Sequence, residues 1–436
     1  MKSSKVAVSL FFIALSLNHL GAEVLNFSRA YELALENANI IRSSVYVSES
    51  DKEKIVQEQS QLYPQINLSA SYKKTEYISN PTKNETRQGL ITYSLTGRQA
   101  IYNPEIYTRV DMQEARSKYS QTKVELQKEQ LAQDLFNAYI DVLKSRNRIK
   151  LLESYSNYSK SRLEELSKKY EMNLSNKMDL LQMRVEFDST QIDLDKEKKL
   201  FEVYDLKLKQ FIGNNEYELP KIESDKSIID TIAQMREKVM SDDKLQESLR
   251  IKQAYDAVEI SKADVENAKS GHLPKVNFDV SYSMYDTDTP TIDAPYDSIK
   301  YAMLSLSMPI YGGGYVSSKV DSSRLMYMAA NEDLQNTKKE TQVMYNEYFA
   351  IFEASTNSVS MYKDALSSAE LYVNAIEQGY EHGLKSIIDL NEAKNKFYEV
   401  KYKYIENIYE MVNSYIGLLI VTNNFKDMSL LDKLVD

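Results

Sequence analysis

Asp389 and Glu392 stand three residues apart, the spacing that puts two carboxylates one turn apart on one side of a helix. Facing open water they are an ordinary solvated surface. An acid and an imidazole adjoin at Glu381 and His382, yet the matching positions of an internal repeat, Glu171 and Met172, keep the acid and lose the imidazole. The other two histidines, His19 and His272, are too scattered to suggest a shared site. Cysteine is absent, which removes disulfides, thiolate metal sites and a cysteine nucleophile. There is no G-x-S-x-G, no H-E-x-x-H and no Walker lysine, and the triple glycine Gly312–Gly314 is followed by Tyr315 where a phosphate loop needs Lys. The expectation is no enzyme, no metal and no cofactor.

The elements around these acids come twice. Tyr170, Glu171, Leu174, Asp179, Leu180 and Phe187 recur, without a gap, as Tyr380, Glu381, Leu384, Asp389, Leu390 and Phe397, an offset of 210 residues. The same offset carries Pro64, Asn67, Ser71 and Tyr72 onto Pro274, Asn277, Ser281 and Tyr282. Two distant blocks in one register mean a tandem duplication. The predicted division is a signal peptide at 1–22, a first repeat at 23–212 and a second at 213–436.

Met1 to Ala22 carries Lys2 and Lys5, an apolar run from Val6 to Leu17 and then Gly21 and Ala22, a secretory layout. Without the two lysines the formal net charge moves from −10 to −12, an acidic balance that argues against a nucleic-acid partner. No later stretch approaches the length of a transmembrane helix, so any membrane contact must be a β-barrel or peripheral.

Glu23 to Tyr63 contains no Gly or Pro and reads as one long helix capped by Asn26 or Ser28 and ended by Pro64. The period then changes from 3.6 to 2. Ile66, Leu68, Ala70 and Tyr72 share one face, as do Ile91, Tyr93 and Leu95 after a polar loop. The second repeat does the same with Val276, Phe278, Val280, Tyr282 and Met284, then Ala302, Leu304, Leu306, Met308 and Ile310. The hairpins are expected at about 64–103 and 274–311, with tyrosines such as Tyr63, Tyr77, Tyr102, Tyr285, Tyr301 and Tyr311 near the strand ends. Each strand is long enough to cross a membrane when tilted, although surface hairpins of a soluble α+β protein share that pattern.

Glu105 to Ile212 then runs without Gly or Pro, too long for one globular helix, and should fold back at Asn173 to Lys177. Gly379 and Gly383 bracket the equivalent turn. Leu180, Met183, Phe187, Thr190, Leu194, Phe201 and Tyr204 form an a/d seam interrupted by Glu197. Leu131, Leu135, Ala138, Val142, Ile149 and Leu152 form another, interrupted by Ser145. In the second repeat Leu390, Ala393, Phe397, Val400, Tyr404 and Met411 are interrupted by Asn407. Gly213–Ile229 and Gly417–Asp436 read as connecting structure on the outside of the helices. The fold class is mainly α with β, long coiled-coil helices continuing into a four-strand-per-chain barrel. If the strands span, four per chain cannot close a barrel, so two or three chains must pool them, giving eight or twelve.

The signal peptide, the duplicated helix, hairpin and helical pair, the strand opening LPKVNFDVSY and the turn YEHGLKSIIDL together resemble the TolC family of outer-membrane efflux proteins. The resemblance spans essentially the whole mature chain. It implies a homotrimer in the outer membrane of a Gram-negative bacterium, with a twelve-stranded barrel in lipid and a long periplasmic α-barrel. It implies docking with a periplasmic adaptor and an inner-membrane transporter, for drug efflux or type I secretion. Asp389 and Glu392 match the acids that narrow the family's periplasmic end, Glu392 standing where Asp is common. Tyr380 with Asp179, and Lys385 with position 178, match links that hold that end shut. Position 178 is Met178, which lacks a useful hydrogen-bonding side chain. The rival reading is a secreted structural or adhesive coiled coil, which explains the seams and the leader but not four strands of spanning length.

Overall fold

The computed structural model describes residues 23–78, 85–213, 216–220, 231–237, 245–287, 297–426 and 429–433. The predicted signal peptide and the hairpin loops lie outside the described residues. So do 221–230 of the connecting stretch and the side chain of Tyr77. The N-terminal segment is not one helix. Glu23–Val24 (β1) pairs in parallel with Tyr217–Glu218 (β4). Asn26 then caps Phe27–Asn37 (α1), its side-chain oxygen accepting from the Arg29 amide at 2.8 Å. At Ala38 the backbone turns extended, and Asn39–Ser60 (α2) follows. The break lets α1 bury Phe27, Ala30 and Ala34 in the main core while α2 runs alongside the long helices.

The sheet holds Gln65–Ile78 (β2), Glu85–Tyr102 (β3), Lys275–Thr287 (β5) and Ser298–Ser307 (β6), antiparallel in the order β2-β3-β5-β6. Leu68 faces Leu95, Ala70 faces Tyr93 and Tyr72 faces Ile91 across β2 and β3. Leu95 in turn faces Tyr282, and Phe278 faces Leu304. The alternation read from sequence therefore joins into one apolar face across both repeats. Met308 and Ile310 do not belong to it. The strand stops at Ser307, because Pro309 has no amide to donate and restricts the residue before it.

Two helical pairs hang from the sheet: Pro104–Glu171 (α3) with Lys177–Ile212 (α4), and, after Leu249–Ser270 (α5), Tyr315–Glu381 (α6) with Ile387–Val421 (α7). Pro104 and Gly314 sit at the corners where strand becomes helix, Gly314 in the left-handed region at φ 83°. Helix α3 packs against α2, α4, α5 and α7, and α6 packs against α5 and α7. Sequence-matched helices thus take matched places in the two repeats.

The main core lies midway along the helices. Phe27 meets Phe136 edge-on at 5.5 Å and Tyr139 at 4.6 Å, with Leu143, Leu208, Ile212, Phe352 and Tyr415 around them. Each such side chain contributes roughly 1.5–3 kcal/mol on burial. The C-terminal stretch is part of this core and not an outer connection. Helix α7 continues through Gly417 to Val421, and Phe425 and Leu431 are buried with Tyr31 and the rest. Gly417 is needed there, since a Cβ would lie 2.4 Å from the Tyr348 ring. Ser429–Asp432 (α8) closes the segment, the Asp432 carboxylate accepting from the backbone amide and hydroxyl of Ser28.

Candidate functional site

The sheet is inside out for a water-soluble protein. Along β5 exposure alternates, and the exposed side is the apolar one: Phe278, Val280, Tyr282 and Met284 are open, while Asp279, Ser281 and Ser283 are sheltered. On β3 the same rule exposes Tyr93 and Leu95 and leaves Ser94 and Thr96 half-buried. The polar side is knitted across strands by Ser94 and Ser283, whose hydroxyls lie 2.8 Å apart, and by Arg98 and Asp279. Water would reward the opposite arrangement. Hydrocarbon outside and an aqueous lumen inside reward this one. Among the described residues strands β2 and β6 each keep one unpaired edge, which lipid does not tolerate.

At the far end of the helices the two turns are built alike. The turn after α3 falls within the predicted stretch, with Asn173 left-handed at φ 57° and Leu174 N donating to Lys169 O at 2.7 Å. Its counterpart has Gly383 at φ 72° and Leu384 N donating to Gly379 O at 2.7 Å. Asn and Gly are the residues that adopt this conformation at least cost. Gly379 does not bracket the turn but lies inside the last turn of α6, where a Cβ would come 2.8 Å from the Lys385 side chain. Each following helix is capped, α4 by Asn176 and α7 by Ser386.

Asp389 is the third residue of α7 and completes a capping box. Its Oδ2 accepts from Ser386 N at 2.9 Å and from Ser386 Oγ at 2.8 Å, while its own amide donates to Ser386 Oγ at 3.1 Å. The backbone bond, then the hydroxyl bond, then the charge of Lys385 hold its carboxyl below the ordinary value. Glu392 lies exposed one turn on, and the neighbouring Ile387, Leu390 and Ala393 are buried against Leu166, Met183, Val373 and Ile376. The acids are therefore on the side of α7 turned away from its own coiled-coil partners.

Tyr380 and Asp179 are not joined, and Lys385 has no hydrogen bond to position 178 among the described residues. The Asp179 amide is taken by Asn176, and the Tyr380 ring packs between cations, 5.5 Å from the Arg162 guanidinium and 5.8 Å from Lys169 Nζ. What ties the two helical pairs together here was not visible in the sequence. Glu377 on α6 accepts from Arg162 on α3 at 3.1 Å and from Lys394 on α7 at 3.2 Å. One turn or two above, the Tyr155 hydroxyl contacts both Glu186 on α4 and Asn395 on α7. No single-helix pattern marks such residues, because Arg162 and Glu377 are 215 positions apart.

The family profile described as Outer membrane efflux protein matches residues 30–214 and again 240–424, two matches displaced by the same offset as the repeat. Outer membrane protein TolC of Vibrio cholerae serotype O1 is 22% identical over 428 residues, covering 97% of this chain and 96% of its own length. The proteases secretion protein PrtF of Dickeya chrysanthemi is 18% identical, covering 94% of this chain and 90% of its own. The solved structure of CusC superposes with a TM-score of 0.79 at 13% identity, covering 93% of this chain and 95% of that one. The inverted sheet and the paired turns are thus found on a fold already known from outer-membrane channels, and this chain belongs to the outer membrane efflux protein family.

Proposed function

We propose that three copies of this chain pool their sheets into a twelve-stranded barrel and serve as the exit duct of a tripartite export system. The observation that carries this is the inverted sheet with two open edges, since apolar residues outward and serines inward suit a wall between lipid and water. A secreted adhesive rod gives no reason for Phe278, Val280, Tyr282 and Met284 to be exposed together. The helical tips support docking to a partner in the periplasm. Leu174 and Leu384 at the turns, with Met178 and Ile388 beside them, are all exposed, a patch that an adaptor's apolar surface would cover. An inner-membrane transporter supplying cargo to that adaptor completes the system.

Around the threefold axis Asp389 and Glu392 would form two acidic rings at the periplasmic mouth, selecting cations and narrowing the passage. Arg162, Glu377, Lys394 and Tyr380 would hold α6 and α7 against α3 in the shut state. Both drug efflux and protein secretion use a duct of this type, and the likeness to PrtF keeps secretion of proteins within the reading.

The test is reconstitution of the purified protein in planar bilayers, with cross-linking of the detergent-solubilised form. Trimers that conduct, with a conductance lowered by trivalent cations bound at the acidic mouth, support the duct. A water-soluble monomer that leaves bilayers silent overturns it.

A further inference from the structure

The polar face of the sheet carries an arrangement that a structural wall does not need. Arg98 on β3 stands in register with Asp279 on β5, Nε lying 2.6 Å from Oδ1. The Asp279 side chain is 13% exposed and that of Arg98 is 71% exposed. The aspartate is sheltered against the sheet and the guanidinium projects from it. Only Nε is engaged, and among the described residues the two terminal nitrogens meet no acceptor. A guanidinium anchored in this way keeps its fork of donors pre-aligned for a carboxylate or phosphate.

Register places Lys73 on the same face, opposite Leu90 on β2's neighbour β3, and Lys73 is exposed. Lys275, also on this face, is already paired with Glu105 at the strand-to-helix junction. The remaining described charges on the face are then two cations and one anion per chain. That excess is opposite in sign to the whole protein, which carries −10.

We propose that Arg98, positioned by Asp279, captures anionic groups on the inner wall of the barrel and that with Lys73 it gives the outer end of the duct a positive sign. The solutes it favours are carboxylate- or phosphate-bearing ones. This rests on the duct reading, because only a closed barrel turns the polar face into a lumen. A lone cross-strand ion pair at an exposed site adds little to stability. Its charge, by contrast, acts on every ion within a Debye length, about 10 Å at 0.1 M salt and about 30 Å at 0.01 M.

The experiment is the reversal potential of the reconstituted full-length channel in a KCl gradient near 0.01 M, read as the potassium-to-chloride permeability ratio. Arg98→Gln leaves Asp279 uncompensated and should raise the ratio about twofold, by loss of local positive potential. Asp279→Asn releases the guanidinium charge and should lower it by a similar factor. Arg98→Lys should keep the wild-type ratio, and Lys73→Gln should move it in the same direction as Arg98→Gln. A purely structural pair would weaken the trimer to heat in both Arg98→Gln and Asp279→Asn without moving the ratio in opposite directions. Conducting trimers with an unchanged ratio in both overturn the proposal while leaving the duct intact. A wild-type protein that does not conduct overturns both.

Discussion

Ser145 donates a 2.7 Å hydrogen bond to Glu197 Oε1 in the buried seam between α3 and α4, and the other carboxylate oxygen lies 3.3 Å from Arg148 Nε. These two residues are the polar interruptions in two otherwise apolar seams, and each is the other's partner. Arg148 in turn donates to the Tyr402 hydroxyl at 3.1 Å, so the interruption also reaches α7. Replacing Glu197 by Leu strands Ser145 and Arg148 and should cost about 1–3 kcal/mol of unfolding free energy. Adding Ser145→Ala should return much of that loss, because both seam positions become apolar. A coupling near zero in the double-mutant cycle, measured by denaturant unfolding in detergent, would show that the bond does not hold the seam.

That pair also shows what a sequence of this type reveals. Heptad spacing identified the seams and their polar breaks, and a polar stretch located the reversal at Asn173 to Lys177, because these signals are local. The strand faces were legible for the same reason, and Leu68 against Leu95 or Phe278 against Leu304 needs only parity and register. The kink at Ala38 was not legible, since Ala favours helix and only the docking of α1 into the core demands the break. The burial of the C-terminal stretch was hidden likewise, because Gly417 reads as a helix breaker until Tyr348 is seen lying against it. The acids at Asp389 and Glu392 were located by repeat and resemblance. The capping role of Asp389 could have been read from S-x-x-D at Ser386, a signature left unused beside the expected gate.

Glu129 is buried on α3 with Oε2 unpaired, and its pKa is pushed up to about 7 by desolvation, with the charge of Arg250 pulling the other way. A carboxyl whose folded pKa lies above its unfolded value binds its proton more tightly when folded. Its presence therefore costs least below about pH 4.5 and costs progressively more as pH rises towards 7. Glu129→Gln, which imitates the protonated form, should stabilise the protein at pH 8 by up to about 3 kcal/mol and do little at pH 4.5. Thermal unfolding at the two values checks this, and equal shifts at both would remove the titration from the account.

The tie between the helical pairs makes a ranking of variants possible. Arg162→Ala removes the bond to Glu377 and one of the two cations beside Tyr380 together, whereas Tyr380→Phe with Lys385→Ala keeps the ring and the Glu377 bridge. Single-channel conductance should rise in Arg162→Ala, and rise more than in the Tyr380→Phe, Lys385→Ala double variant. Glu377→Gln should fall between them, since a neutral acceptor retains part of the geometry. The reverse order would return the latch to the turn residues.

The capping box gives the acidic mouth a pH signature of its own. Asp389 accepts two bonds from Ser386, and these keep its carboxyl charged to lower pH than an ordinary aspartate. The stabilisation they supply is present above the unfolded pKa and is lost as pH falls through the depressed folded one. Ser386→Ala removes the hydroxyl bond but leaves the backbone amide, so Asp389 should titrate at a pH closer to the usual carboxylate value. Glu392 has no hydrogen-bond partner among the described residues. Cation selectivity followed from pH 7 downwards should therefore show a component that moves to higher pH in Ser386→Ala and vanishes in Asp389→Asn. If Ser386→Ala leaves the profile unmoved while Asp389→Asn changes it, the carboxylate reaches the passage free of its cap, and α7 must begin differently in the conducting trimer.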